Sequence, residues 1–140
     1  MSSPLNGSCL CGEVRYKISG RIGPINHCHC PGCRKAHATA FSTAAPVRVA
    51  YLEYLSGREL LREYESSPGK FRAFCGSPIY SRRADDESSV RLRLGSVDDD
   101  PGRRPLIHGW VSEKAPWFEI CDSLPQWPRG GAPDLPKRRE

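Results

Sequence analysis

Long hydrophobic runs are missing from this chain. No segment approaches the ~20 apolar residues that a membrane-spanning helix requires, and the N-terminus shows no basic-then-apolar signal sequence. A soluble protein that stays in the cytoplasm is expected. Only 38% of the 140 residues are hydrophobic, methionine occurs once, and mean hydropathy is -0.55. No Ser-His-Asp order, phosphate-binding glycine loop or dinucleotide fingerprint is present, and there is no internal repeat. A concentrated charge is also lacking. Net charge is +5, but apart from Lys137, Arg138 and Arg139 at the extreme end the basic residues are scattered. A nucleic-acid binder would gather them on one face, so no nucleic-acid partner is expected. Arginine outnumbers lysine, and its planar fork suits small carboxylate partners better.

Turn formers are abundant, with 13 Gly and 13 Pro. Long helices are therefore disfavoured, and a mainly β, antiparallel fold is expected. The length fits one domain, assigned to residues 1–128 and followed by a Pro/Arg-rich polar tail over 129–140. Residues 1–6 read as a short polar leader. Alternation at 13–18 and 90–94 predicts half-buried strands. Further extended segments are expected at 25–30, 41–45, 47–52 (the last two separated by Pro46), 60–65, 70–74, 78–82, 105–111 and 115–121. Residues 34–38 fit a single helical turn, and 96–102 a loop. The Pro-rich stretch from Pro125 is not expected to fold by itself.

Cysteine is where the composition departs most from the ordinary. Seven Cys (9, 11, 28, 30, 33, 75 and 121) form an odd set; in a reducing compartment this points to metal ligation or catalysis before disulfides. Cys9-Leu-Cys11 lies between Gly7 and Gly12. In an extended segment the two sulfurs would share a side, with glycines letting the backbone bend around an ion. Zinc ligation and two buried free thiols both fit this pair. Cys28-His-Cys30-Pro-Gly-Cys33 is stronger. Three soft donors around one bend suit Zn2+, and three protein ligands with an open fourth position mark a catalytic rather than a structural ion. A fourth ligand from elsewhere, or an iron–sulfur cluster, are the alternatives. Arg34 and Lys35 would offset the thiolate charge. His27 and His29 are expected as hydrogen-bonding neighbours, with His29 facing away from the ion. Near Cys75, a zinc knuckle would need a second Cys three residues earlier; that place holds Arg72.

These segments, with Phe71…Cys75-Gly-Ser-Pro78, Ala115-Pro-Trp-Phe-Glu-Ile120 and Asp122-Ser-Leu-Pro125, resemble the glutathione-dependent formaldehyde-activating enzyme (GFA) family over roughly residues 5–127. The resemblance implies a zinc-binding β-sandwich or β-tent of the kind also seen in Rab-exchange chaperones and methionine sulfoxide reductase B. It implies a structural zinc on Cys9, Cys11 and a later Cys pair, and a catalytic zinc on Cys28, Cys30 and Cys33. It further implies condensation of glutathione with formaldehyde, a carbon–sulfur lyase reaction. Arg72 replaces one Cys of the later pair, so the first site keeps Cys9, Cys11 and Cys75. A lost thiolate and an added cation should weaken it. Cys121 is the spare thiol, expected to be a small buried hydrophobe.

For a small thiol such as glutathione, Arg34, Lys35 and Arg93 are candidate carboxylate partners, and His108 and Trp110 candidate pocket residues. Trp117 and Phe118 are expected to pack over the sheet, and Asp98, Asp99 and Asp100 to form a solvated turn. A zinc-stabilised interaction module and metal-free sulfur chemistry at Cys28, Cys30 and Cys33 stand as alternative functions.

Overall fold

Apolar–polar alternation and frequent turns produce ten short strands in the computed structural model, which describes residues 4–130. In chain order these are Leu5–Ser8 (β1), Arg15–Ile18 (β2), Asn26–Cys28 (β3), Ser42–Arg48 (β4), Leu52–Ser56 (β5), Arg62–Ser67 (β6), Lys70–Cys75 (β7), Ser77–Arg83 (β8), Ser89–Arg93 (β9) and Ile107–Gly109 (β10). One α-helix, Pro31–His37 (α1), interrupts them. Three strands form a sheet in the order β1-β2-β5. Seven form a second, β10-β3-β4-β9-β8-β7-β6. Pairing is antiparallel except between β3 and β10, which run parallel. Among the described residues no helix is long and apolar enough to cross a membrane.

The inward positions of both sheets supply one core. Tyr16, Ile18, Ile25, Val47, Ile79 and Leu92 are each at most 1% exposed. Removing each such side chain from water contributes roughly 1.5–3 kcal/mol. Leu5 and Asn6, expected in a polar leader over residues 1–6, open β1, whose Gly7 stands opposite Tyr16. Its apolar content is low because a tyrosine ring from the neighbouring strand fills the space at Gly7.

Pro46 does not divide a strand, contrary to the sequence expectation. β4 runs through it, with Pro46 opposite Arg91 of β9. Its carbonyl accepts a hydrogen bond from the Gly23 N–H at 2.7 Å. In an antiparallel strand a residue's N–H and C=O point to the same flank, so the missing donor falls on the loop side and the β9 ladder loses nothing.

The 115–121 segment forms no strand. The Lys114 ammonium donates to the carbonyls of Ala115, at 3.2 Å, and Phe118, which draws the chain into turns. The stretch from Pro125 is not free of the fold either. The His108 N–H donates to Pro125 O and the Trp127 N–H to His108 O, which lays this segment along β10. Residues 131–140, with Lys137, Arg138 and Arg139, lie outside the described residues.

Candidate metal centres

Two cysteine trios form, and in each all three sulfurs lie within 4.8 Å of one another: Cys9, Cys11 and Cys75, and Cys28, Cys30 and Cys33. A tetrahedral zinc with ~2.3 Å bonds spaces its sulfurs by about 3.8 Å. The Cys11 and Cys75 sulfurs are 3.7 Å apart. Both donor sets therefore fit a soft dication. All seven cysteines are free.

The first trio is built on a tight turn, not on extended backbone. The Gly12 N–H donates to Cys9 O at 2.8 Å, and Gly12 takes φ +77°, where a side chain would be strained. Leu10 consequently points outward, 95% exposed. Cys75 arrives from the end of β7, and the Cys9 thiol donates to its carbonyl at 2.7 Å. Burial opposes ionisation of Cys9. Hydrogen bonds from the Ser77 hydroxyl and from the Cys11 and Ser77 backbone outweigh it and lower this thiol to about 6. The hydrogen bond with Cys11 and burial push Cys75 up to about 11.

The second trio joins a strand end to a helix start. Cys28 closes β3, Cys30 is the N-cap of α1, and Pro31 opens the helix. Pro at the first helical position loses no bond that the helix needs. One turn on, Cys33 comes back over Cys30, whose sulfur accepts the Cys33 N–H at 3.4 Å. The bend expected between Cys28 and Cys33 thus contains the first turn of a helix that also absorbs residues 34–37.

Ionisation in this trio is uneven. Hydrogen bonds with Cys28 and Cys30 hold Cys33 well below the usual thiol range. Burial opposes them, while Ser42 and Arg72 add further stabilisation. Cys28 is driven upward by hydrogen bonding to Cys30 and Cys33 and by burial.

Arg72 does not sit at the first trio. Its Nη2 donates to Cys33 Sγ at 3.6 Å, so this cation, expected at the first trio, stands against the second. Of the two neighbouring residues expected there, Lys35 is exposed and Arg34 half-buried on α1. Arg93, 6% exposed, reaches the hydroxyls of Ser42 and Ser81. Spacing gives no sign of Arg72 or Ser42, because strand register alone brings β4 and β7 to the helix.

His29 faces away from the sulfurs. Its Nε2 is 2.8 Å from His108 Nδ1, and His108 Nε2 is 2.9 Å from the Asp122 carboxylate. An ionised carboxylate only accepts, so His108 donates at Nε2; a neutral His108 then accepts at Nδ1 from His29 Nε2. His27 Nδ1 meets the Thr43 hydroxyl at 2.8 Å. His108 is buried and Trp110 lies beyond β10, 39% exposed. Cys121 is exposed, not buried, and belongs to neither trio. Trp117 is 70% exposed, and Phe118 contacts Phe41 edge-on. Asp98, Asp99 and Asp100 are exposed and hold Ser8, Asn6 and Arg104.

Burial lowers His27, His29 and His37 to about 4, against ~6.5 for a free imidazole. Below ~6.5 the unfolded chain binds protons that the folded chain refuses until about pH 4. Stability is therefore expected to fall as pH drops through that window. The imidazole NMR resonances of His27, His29 and His37 should still be those of neutral rings at about pH 5; titration of these three rings near the free value would contradict this.

A cleft of about 570 Å3 is lined by Cys9 of the first trio together with Phe41, Ser42, His37 and Arg93. The size suits a small-molecule ligand. The larger cleft, about 980 Å3, is lined by residues such as Asn6, Arg21 and Asp99 and contains no cysteine or histidine.

Comparison with known proteins gives a consistent result. The family described as "Glutathione-dependent formaldehyde-activating enzyme" matches residues 4–113. A Halomonas elongata protein named "Putative glutathione-dependent formaldehyde-activating enzyme" is 30% identical over 126 residues, covering 83% of this chain and 80% of that protein. The crystal structure of a Rhodobacter sphaeroides protein superposes with a TM-score of 0.55 at 22% identity, over 71% of this chain and 97% of the other.

Proposed function

Since the chain belongs to the glutathione-dependent formaldehyde-activating enzyme family, we propose that it is a zinc enzyme of the carbon–sulfur lyase type. Its substrate class is a thiol–aldehyde adduct such as S-hydroxymethylglutathione. The observation that carries this reading is the second trio: three convergent sulfurs with no fourth His, Cys, Asp or Glu donor grouped with them among the described residues. Cys28, Cys30 and Cys33 would hold the ion, and Cys9, Cys11 and Cys75 a second, structural one. A bound zinc lowers a thiol's pKa or polarises a carbonyl oxygen.

In the synthetic direction a carbon–sulfur bond forms between the glutathione sulfur and the formaldehyde carbon. The thiol proton ends on the former carbonyl oxygen, so no oxidant or reductant is consumed. The chain's own residues prepare the place. The N-cap geometry fixes Cys30 relative to Cys33, the Asp122–His108–His29 chain fixes the loop between Cys28 and Cys30, and Arg72 screens the Cys33 charge. Such supporting partners typically change metal affinity or activity ~10–100-fold when removed. A reducing cytoplasm keeps all seven thiols available.

The test is exchange NMR on zinc-replete protein with glutathione and 13C-formaldehyde. The interconversion of formaldehyde hydrate and hydroxymethyl adduct should speed up in proportion to protein concentration. Exchange no faster than in protein-free solution removes the reading and leaves a zinc-stabilised binding module.

A further inference from the structure

Buried guanidinium groups normally face carboxylates, because an unpaired charge away from water is costly. Arg93 faces none. It is 6% exposed and its hydrogen bonds go to the two serine hydroxyls, Ser42 and Ser81. Arg72 is no better matched. Nη2 is spent on Cys33 Sγ, while Nη1 is buried with no hydrogen-bond partner.

Both arginines line one cavity of about 190 Å3 between α1 and the seven-stranded sheet. Tyr64, Phe74 and Tyr80 form part of its wall, and so does His37, whose Nε2 is likewise buried and unpartnered. Arg93 and His37 also line the larger cleft that Cys9 borders. The cavity therefore adjoins that cleft, and Arg72 links it directly to Cys33.

Charge counting points the same way. Three thiolates around a dication leave one net negative charge, and two guanidinium groups exceed it by one. No acidic side chain of the cavity makes up the difference. We propose that Arg72 and Arg93 form a carboxylate subsite beside Cys28, Cys30 and Cys33, which anchors an acidic end of the thiol substrate. This rests on the thiol-substrate reading given above. A carboxylate on a short aliphatic stem matches both parts of the cavity: the planar fork of each guanidinium accommodates the anion, and the aromatic wall accommodates the stem. Arg72, expected at the first trio, thus serves the second.

Titration calorimetry of the zinc-loaded full-length protein with S-methylglutathione tests this, since the blocked sulfur cannot take part in the condensation. The free acid should bind, and its diethyl ester should bind at least about tenfold more weakly, the loss expected for a charge-assisted contact. Arg72→Gln should weaken binding of the acid by a similar factor and leave the ester unchanged. Arg93→Gln should do the same; because Arg93 is buried and its replacement threatens folding, the acid–ester comparison on the unaltered chain decides independently. No binding of the acid, or equal binding of acid and ester, overturns the subsite. So does displacement of the acid by inorganic phosphate at concentrations where acetate has no effect. Arginine-dependent binding without accelerated glutathione–formaldehyde exchange keeps the subsite and removes the reaction. Accelerated exchange with acid and ester bound alike does the reverse.

Discussion

Cys30→Ser is expected to strip the second trio of its metal and return the glutathione–formaldehyde exchange rate to the spontaneous value, while the protein stays folded. The two halves of this result have separate causes. A hydroxyl is a poor replacement for a thiolate on a soft ion. The loss in affinity should exceed the ~10–100-fold that accompanies loss of an outer hydrogen-bonding partner. The fold survives because the contribution of Cys30 to local structure is an N-cap bond to the Cys33 N–H at 3.4 Å, and serine is among the best N-cap residues. Metal content and the far-ultraviolet circular dichroism spectrum should therefore part company in this variant. Full activity in metal-depleted Cys30→Ser would eliminate the proposed mechanism. The matched control is Cys11→Ser. Cys11 is exposed, so this change should empty the first trio with little effect on exchange. We propose that the first trio, whose Cys11 is exposed and whose Cys75 comes from a distant strand, is the weaker of the two; a mild chelator should remove its zinc first.

Gly7→Ala should destabilise the protein more than any other single-methyl change in the β1-β2 pair. A Cβ built at Gly7 falls 2.1 Å from the ring carbon that carries the Tyr16 hydroxyl. Tyr16 cannot step aside cheaply. It is fully buried in the core, and its hydroxyl is 2.6 Å from the Ser96 hydroxyl. Overpacking together with loss of that bond costs on the order of 3 kcal/mol, a large part of the stability of a typical domain. The urea midpoint reads this directly. In a Tyr16→Ala background the same change at Gly7 should cost almost nothing, because the clash is a pairwise term. An unchanged midpoint for Gly7→Ala, or full additivity of the two changes, would show that the ring and the glycine are not in register.

The convergence of the second trio was legible because its cysteines are close in sequence. Cys28, Cys30 and Cys33 need a single bend, and any bend that tight brings the sulfurs together. The strand at 90–94 was legible for a similar reason, since alternation is a local property. What the sequence hid depends on neighbours. Gly7 reads as a glycine that helps backbone curve around an ion, yet its role is to make room for a ring from β2. Pro46 reads as a strand breaker, but the flank on which its missing N–H falls is set by Gly23. Arg72 reads as a cation placed at the first trio; β7 carries its side chain to Cys33 instead. Cys121 reads as a buried apolar residue because isolated cysteines usually are, whereas the chain around it is turned outward. His29, flanked by two cysteines, was legible as facing away, but its partners His108 and Asp122 come from distant positions that no spacing rule connects.

The two trios differ in how much chain must be in place before they exist. The sulfurs of Cys28, Cys30 and Cys33 lie within six consecutive residues, so a nascent chain can grip a metal ion there as soon as that stretch has emerged. Cys75 stands 64 positions beyond Cys11, and closing so long a loop carries an entropic penalty that must be met before the contact is made. The first trio is consequently a late clasp: it could take up an ion only after β7 has docked, and loss of an ion bound there should report early loosening of the sheet rather than damage to the Cys28–Cys33 loop.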